Sequence, residues 1–364
     1  MSLSHRAARV REHLGDIDAL LVSDLTNIRW LTGFTGSNGW VVLAHDSLTL
    51  VTDGRYGQQA AMQMEAAGVE GRVVVGPNGA LVQTIAEACA GFARVGFEAA
   101  HVSYQAHGQY AAAIAGDLVP TLSTVEAQRR RKDPAEIDAM ARACGIADQA
   151  LAEVAPLLGD GLSEAQVRNL LEIRMRELGA TGPSYETIVA TGPNNAALPH
   201  HRPTATRIEH GHTVIIDVGA LVDGYHSDMT RTFVVGEPSA QQAELYELVL
   251  RAQVAGVHAV RPGVRTADVD AVCRGVITEA GYGEWFTHGT GHGVGLLIHE
   301  DPYLSRVADA TLQEGDVVTV EPGVYREGFG GIRVEDLVVV TSAGCRVLTS
   351  SPKDSPCLPS PPTT

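Results

Sequence analysis

One pattern occurs twice in this chain, about a hundred residues apart, and it constrains the fold more than any other feature. Gly161-Leu-Ser-Glu-Ala165-Gln-Val167 lines up with Gly263-Val-Arg-Thr-Ala267-Asp-Val269. Each opens a helical periodicity closed by a glycine, Gly179 in one case and Gly281 in the other. Each then leads to a glycine, an apolar strand and a carboxylate: Gly211-His-Thr-Val-Ile-Ile-Asp217-Val-Gly219 and Gly315-Asp-Val-Val-Thr-Val-Glu321-Pro-Gly323. A single match of this kind could be chance. An offset held through a helix and a strand indicates a duplicated α+β half. Two halves related by a pseudo-twofold bring their carboxylate strands together at the centre.

Each half adds a second carboxylate. In the first, the turn signal Asp223-Gly224 separates Val214–Val218 from His226-Ser-Asp228-Met-Thr-Arg-Thr-Phe233. A tight turn there makes Asp217 and Asp228 diagonal neighbours on paired strands, within reach of a shared ion. In the second, Gly331-Ile-Arg-Val-Glu335-Asp336 places Glu335 within the apolar run from Ile332 to Val340. The simpler reading pairs an aspartate with Arg231 and Glu335 with Arg333, which accounts for single carboxylates but leaves Glu321 unexplained. Buried carboxylates without partners lose their hydration for nothing, and divalent cations remove that penalty.

Between the two carboxylate pairs lies His288-Gly-Thr-Gly-His292-Gly-Val-Gly295, followed by His299. Four glycines in eight residues exclude a helix and let the backbone approach a ligand closely. No Lys-Ser/Thr follows and no G-x-G-x-x-G opens a helix, so this is not a phosphate loop. Asp217, Asp228, His292, Glu321 and Glu335 therefore read as the ligand set of a two-metal hydrolase. Four carboxylates and an imidazole balance two dications and suit Mn²⁺, Co²⁺ or Zn²⁺, which lower the pKa of a water toward neutrality.

The rest of the chain narrows the class. At 364 residues it is long for one core and comfortable for two domains. A formal charge of -16 argues against nucleic acid as a partner. Five scattered cysteines show no paired spacing, which fits a reducing compartment. No apolar run is long enough to span a membrane and the first residues lack an apolar signal region, so a cytoplasmic location is expected. Before residue 125, strands at Asp18–Val22, Trp40–Ala44, Leu48–Thr52, Arg72–Val75 and Arg94–Phe97 alternate with helices at 4–14, 26–32, 55–67 and 79–91. The basic run Arg129-Arg-Arg-Lys132 reads as a solvated linker, and Pro134 opens a helix to about residue 158. The Pro/Ser-rich end has little to bury, so its last residues are expected to be mobile.

Asp217, Ser227-Asp228-Met-Thr-Arg-Thr-Phe, His288-Gly-Thr-Gly-His292-Gly-Val-Gly-Leu, Val320-Glu321-Pro-Gly and Gly331-Ile-Arg-Val-Glu335-Asp together resemble the pita-bread metallopeptidases. That family includes methionine aminopeptidase, aminopeptidase P and prolidase. Asp24-Leu-Thr-Asn-Ile-Arg-Trp-Leu-Thr-Gly-Phe and Thr52-Asp-Gly-Arg-Tyr56 resemble the creatinase-type amino-terminal domain. The resemblance implies an α+β pita-bread catalytic domain over 134–350 with an internal pseudo-twofold repeat. A smaller creatinase-type α/β domain over 1–127 precedes it, and a Pro-rich tail, 351–364, follows. It also implies that Asp228 and Glu335 bridge two metal ions, with Mn²⁺ favoured over Co²⁺ and Zn²⁺. Asp217 completes one site; His292 and Glu321 complete the other, Glu321 doubling as a proton shuttle. His200, in Ala197-Leu-Pro-His200, and His299 match histidines that handle substrate and its developing charge. His288 shapes the pocket or stabilises the tetrahedral intermediate, and Arg333 faces the substrate side, gripping either a dipeptide's carboxylate or a longer peptide's backbone.

The expected activity is hydrolysis of the Xaa-Pro bond at the amino terminus of peptides, as in aminopeptidase P, with Xaa-Pro dipeptidase (prolidase) as the close alternative. A metal-free creatinase-like C–N hydrolase and a non-catalytic binding protein share the fold, but all five ligand positions are filled. Methionine aminopeptidase lacks such an amino-terminal domain. By the same resemblance the chain is a homodimer or tetramer acting on peptides, with no nucleic-acid or membrane partner. Two departures, His212 in place of a common aspartate and His201-Arg202 after His200, leave the metal positions untouched.

Overall fold

The computed structural model describes residues 3–359. The chain divides into two compact units, Met1–Arg129 and Arg130–Thr364. In the first, a six-stranded sheet runs in the order Arg72–Gly76, Leu48–Asp53, Gly39–Ala44, Ala19–Val22, Arg94–Glu98, Asp117–Thr121. The three central contacts from Leu48–Asp53 through Arg94–Glu98 comprise two antiparallel pairings and one parallel one, and both outer pairings are parallel. Every residue of Ala19–Val22 is buried, as expected of a strand covered on both faces. Two elements here carry no clear sequence signal. The helix Tyr104–Ala113 buries only Tyr110, and the strand Asp117–Thr121 contains Pro120, which an edge position tolerates because one row of N–H groups goes unpaired there.

The second unit holds two similar halves. In the first, helices Pro134–Val154 and Glu164–Glu177 share a core with the antiparallel strands Ile188–Thr191, Thr213–Asp217 and Thr230–Val234. In the second, helices Ala240–Ala259 and Thr266–Glu279 share a core with Val317–Val320 and Asp336–Val340. Helix starts follow from the sequence: Asp133 and Glu136 form a capping box ahead of Pro134, and Ser163 and Gln166 form another. The repeat extends to isolated bridges at matching places, Ser163 with Arg207 and Arg265 with Thr311. Gly179 and Gly281 both close their helices at positive φ, 106° and 90°, where a side chain would be strained.

The halves meet along Thr230–Val234. The Glu335 amide donates to the Thr230 carbonyl at 3.2 Å, the Arg333 amide donates to Thr232 Oγ1 at 3.0 Å, and that hydroxyl donates to the Arg333 carbonyl at 2.7 Å. Glu335 therefore does not lie inside one continuous strand. Gly330–Arg333 pairs with Gly323–Arg326, Asp336–Val340 pairs with Val317–Val320, and Glu335 sits at the crossing between them.

One sequence expectation changes. The basic run is not a solvated linker: Arg129 and Lys132 are buried, Arg130 pairs with Asp316 at 2.6 Å, and Lys132 Nζ lies 2.6 Å from Glu300. Arg129 also donates to Asn27 Oδ1 at 2.6 Å, so three of the four charges are engaged inside the units while Arg131 is exposed, a use that local composition does not reveal. The Pro-rich end is docked up to Leu358: the Val234 amide donates to Pro356 O, Val234 bridges Cys357, and Leu358 packs on the first-half core. The expected mobility falls on Ser360–Thr364, outside the described residues. Among the described residues no helix is long and apolar enough to cross a membrane.

Candidate active site

His200, Asp217, Asp228, His288, His292, His299, Glu321, Arg333 and Glu335 all line one cleft of about 600 Å³ in the second unit. Asp217 ends its strand opposite Thr230, so Asp228, two residues before Thr230, stands diagonally across from it. Asp217, Asp228 and Glu335 each offer an oxygen within 4.8 Å of the others. Glu321 follows Val317–Val320, and its amide is held by the Thr290 carbonyl at 2.8 Å. Arg231 and Arg333 do not take the simple partners: Arg231 pairs with Asp336, and Arg333 with Asp217.

Burial and mutual repulsion dominate the electrostatics. Desolvation, then Asp217 and Glu321, holds the Asp228 carboxyl well above the ordinary range. Desolvation and Asp228 do the same to Glu335, and burial lifts Glu321 to about 8. Burial lowers His292 to about 4, so the ring is neutral near pH 7. Its Nδ1–H donates to the Gly293 carbonyl at 3.0 Å, which leaves the Nε2 lone pair facing Asp228 and Glu321, each 3.5 Å away. A bare nitrogen aimed at ionised carboxylates is repulsive unless a cation lies between them. The donor set thus fits divalent metal ions, with the histidine tautomer already set for ligation.

Sequence reasoning missed several residues of the site. The Tyr185 hydroxyl is shared between Asp217 and Asp228, the latter at 2.6 Å. It lies in a loop without a motif, so spacing could not have found it. Thr230 Oγ1 donates to Glu335 at 2.6 Å, and Tyr325 links Arg333 to His288. The His288 Nδ1–H donates to Gly289 O, so its Nε2 accepts from the Tyr325 hydroxyl, and burial keeps this ring near 4. His299 is exposed at the mouth, edge-on to His292 with centroids 4.3 Å apart.

Arg333 lines the cleft and is also tied to the chain around it. Its guanidinium is buried and donates to Asp217 at 2.6 Å, Thr230 Oγ1 at 2.9 Å, Tyr325 at 2.9 Å and the Pro199 carbonyl at 3.2 Å. Four of its five N–H groups are thus engaged by the chain at the wall of the cleft.

Two family models match the chain: "Metallopeptidase family M24" over residues 138–342 and "Creatinase/Prolidase N-terminal domain" over 6–131. This chain belongs to metallopeptidase family M24. Its architecture is the creatinase-type domain followed by the pita-bread domain of that family, and it is a hydrolase of the peptidase class. An uncharacterized peptidase, YqhT, of Bacillus subtilis is 42% identical over 93% of this chain and 95% of its own. The structure is similar to an Xaa-Pro dipeptidase from Bacillus anthracis, with a TM-score of 0.93 and 39% identity over 98% of this chain and 100% of that one. An X-Pro aminopeptidase from Thermotoga maritima matches with a TM-score of 0.88 and 33% identity over 95% and 99% of the two chains.

Proposed function

We propose that this M24 member is a dinuclear metal-dependent peptidase that hydrolyses the Xaa-Pro bond, with Xaa-Pro dipeptides as its first substrates. One observation carries the metal reading: the bare Nε2 of His292 faces Asp228 and Glu321 beside the Asp217–Asp228–Glu335 cluster. Asp228 and Glu335 would be shared by two ions, with Asp217 completing one site and His292 and Glu321 the other. Mn²⁺ fits this oxygen-rich set best. Bound there, the ions would polarise a peptide carbonyl and bring a water's pKa toward neutrality.

The chain's own residues supply the rest. Glu321 takes the proton of the attacking water and passes it toward the proline nitrogen, which leaves as an amine. His200 and His299 donate hydrogen bonds to the carbonyl oxygen as negative charge builds on it. His288, held through Tyr325, fixes one wall of the cleft. Arg333 orients Asp217 rather than substrate. The full-length likeness to an Xaa-Pro dipeptidase supports placing dipeptides first. The Thermotoga maritima likeness supports aminopeptidase P-type cleavage as the second reading. Turnover of an Xaa-Pro dipeptide against an Xaa-Pro-Xaa tripeptide, both with Mn²⁺, separates them. A preparation that cleaves only the tripeptide would discard the first reading, and one that cleaves neither would discard both.

A further inference from the structure

Adjacent histidines at the cleft face opposite ways. His200 is exposed, whereas His201 is buried and its Nε2 donates to Glu164 at 2.9 Å. Glu164 is fully buried at the first position of the helix Glu164–Glu177, where the dipole favours a carboxylate. Five hydrogen bonds converge on its two oxygens. Oε1 accepts from the Thr191 amide and Asn195 Nδ2, both at 2.9 Å; Oε2 accepts from His201 and from the amide and hydroxyl of Thr204, at 2.9, 2.9 and 2.8 Å. Burial works against the Glu164 charge, yet the bonds from Asn195, His201 and the two amides hold its pKa below the usual value.

A second tie lies on the other side of His200. The Pro199 carbonyl accepts from Arg333, whose guanidinium also holds Asp217. His200 is therefore the unanchored residue between two anchored ones, one tied to the carboxylate cluster and the other to a helix terminus. No motif predicts this, because Glu164 and His201 are far apart in sequence and neither touches the carboxylate cluster.

We propose that Glu164, acting through His201, is a positioning residue that fixes the loop carrying His200, so that the His200 ring meets the substrate carbonyl in one orientation. This rests on the peptidase reading above only in the role given to His200. The test is a double-mutant cycle on the Mn²⁺-loaded enzyme with an Xaa-Pro dipeptide, combined with hydrogen exchange of the amides of residues 196–206. His201→Ala should lower kcat/KM by about 10²-fold, the scale expected of a misplaced group, and leave metal content unchanged. His201→Gln, which keeps a donor aimed at Glu164, should recover most of that loss. In a His200→Ala background the same His201→Ala change should cost less than about twofold, because its effect passes through His200. Exchange in residues 196–206 should rise in His201→Ala and Glu164→Gln while that of Thr213–Asp217 stays constant. Equal losses in both backgrounds, or unchanged exchange in the loop, would overturn the proposal. If the wild-type enzyme cleaved no Xaa-Pro peptide, the peptidase reading would fail and the exchange measurement alone would decide this one.

Discussion

Glu335 and Asp336 are neighbours in the chain, each only 1% exposed, and the protein treats them in opposite ways. Asp336 is surrounded by donors: Arg231 at 2.9 Å, Gln253 at 2.9 Å, Thr349 at 2.8 Å, and Lys353. Burial alone would raise its pKa, but Arg231 and Lys353 bring it below the ordinary carboxylate value. Glu335 has one donor, the Thr230 hydroxyl; burial, then the facing Asp228, Glu321 and Asp217, pushes its pKa far up. A buried carboxylate fully paired by the chain is doing structural work. One crowded against like charges is waiting for something the chain does not supply.

The largest effect should come from the crowded member. Glu335→Gln or Asp228→Ala should abolish Xaa-Pro hydrolysis, by about 10³-fold or more, and lower bound metal, yet leave the fold of the metal-free protein intact. Metal analysis beside a thermal melt checks this, and a Glu335→Gln variant with full metal content would break the contrast. Asp336→Asn should do the reverse. It strands Arg231 and Lys353, so it should destabilise the unit by about 3–5 kcal/mol in denaturant unfolding, the usual penalty for breaking a buried pair. A loss of activity without loss of stability would show that Asp336 had been assigned to the wrong side.

His299→Ala should be intermediate, lowering kcat by about 10²-fold through loss of a hydrogen bond to the developing charge. Its metal content should stay at the wild-type level; metal loss with unchanged turnover per ion would make His299 a ligand. A further prediction concerns pH. With metals removed, Glu321 titrates near 8 in the folded protein against 4.5 for an ordinary glutamate. The folded form then binds more protons than the unfolded chain across that window. Stability of the metal-free protein should fall as pH rises from 4.5 to about 8. Metal-loaded protein should not show this decline, since cations replace the protons. Denaturant titrations at several pH values would sharpen or erase the distinction.

The same contrast explains what could be read from the sequence. Asp217, Asp228, His292, Glu321 and Glu335 were legible because each sits in a local context of glycine turns and apolar strand where a charge is out of place. The duplicated helix-and-strand halves were legible because their spacing repeats. The partners that fix these groups were not. Tyr185, Thr230 and Tyr325 reach their targets through tertiary packing, and Arg231 finds Asp336 rather than a neighbour on its own hairpin. Arg333 shares a strand face with Glu335 by alternation, but the crossing at Val334–Glu335 redirects its guanidinium to Asp217. The docking of the chain end up to Leu358 was not legible for a related reason. It buries little apolar surface and is held instead by polar ties, such as Ser350 and Ser351 to Asp148 at 2.7–2.9 Å.

On the reading proposed above, the crowded carboxylates hold two divalent ions that make this chain an Xaa-Pro peptidase. The most direct test strips the protein of metal with a chelator, then titrates Mn²⁺ back while following hydrolysis of an Xaa-Pro dipeptide and an Xaa-Pro-Xaa tripeptide. The stripped protein should show no turnover, and activity should rise with added Mn²⁺ and saturate at two ions per chain. Undiminished cleavage by the metal-free protein, or metal-loaded protein that cleaves neither peptide, would contradict that reading.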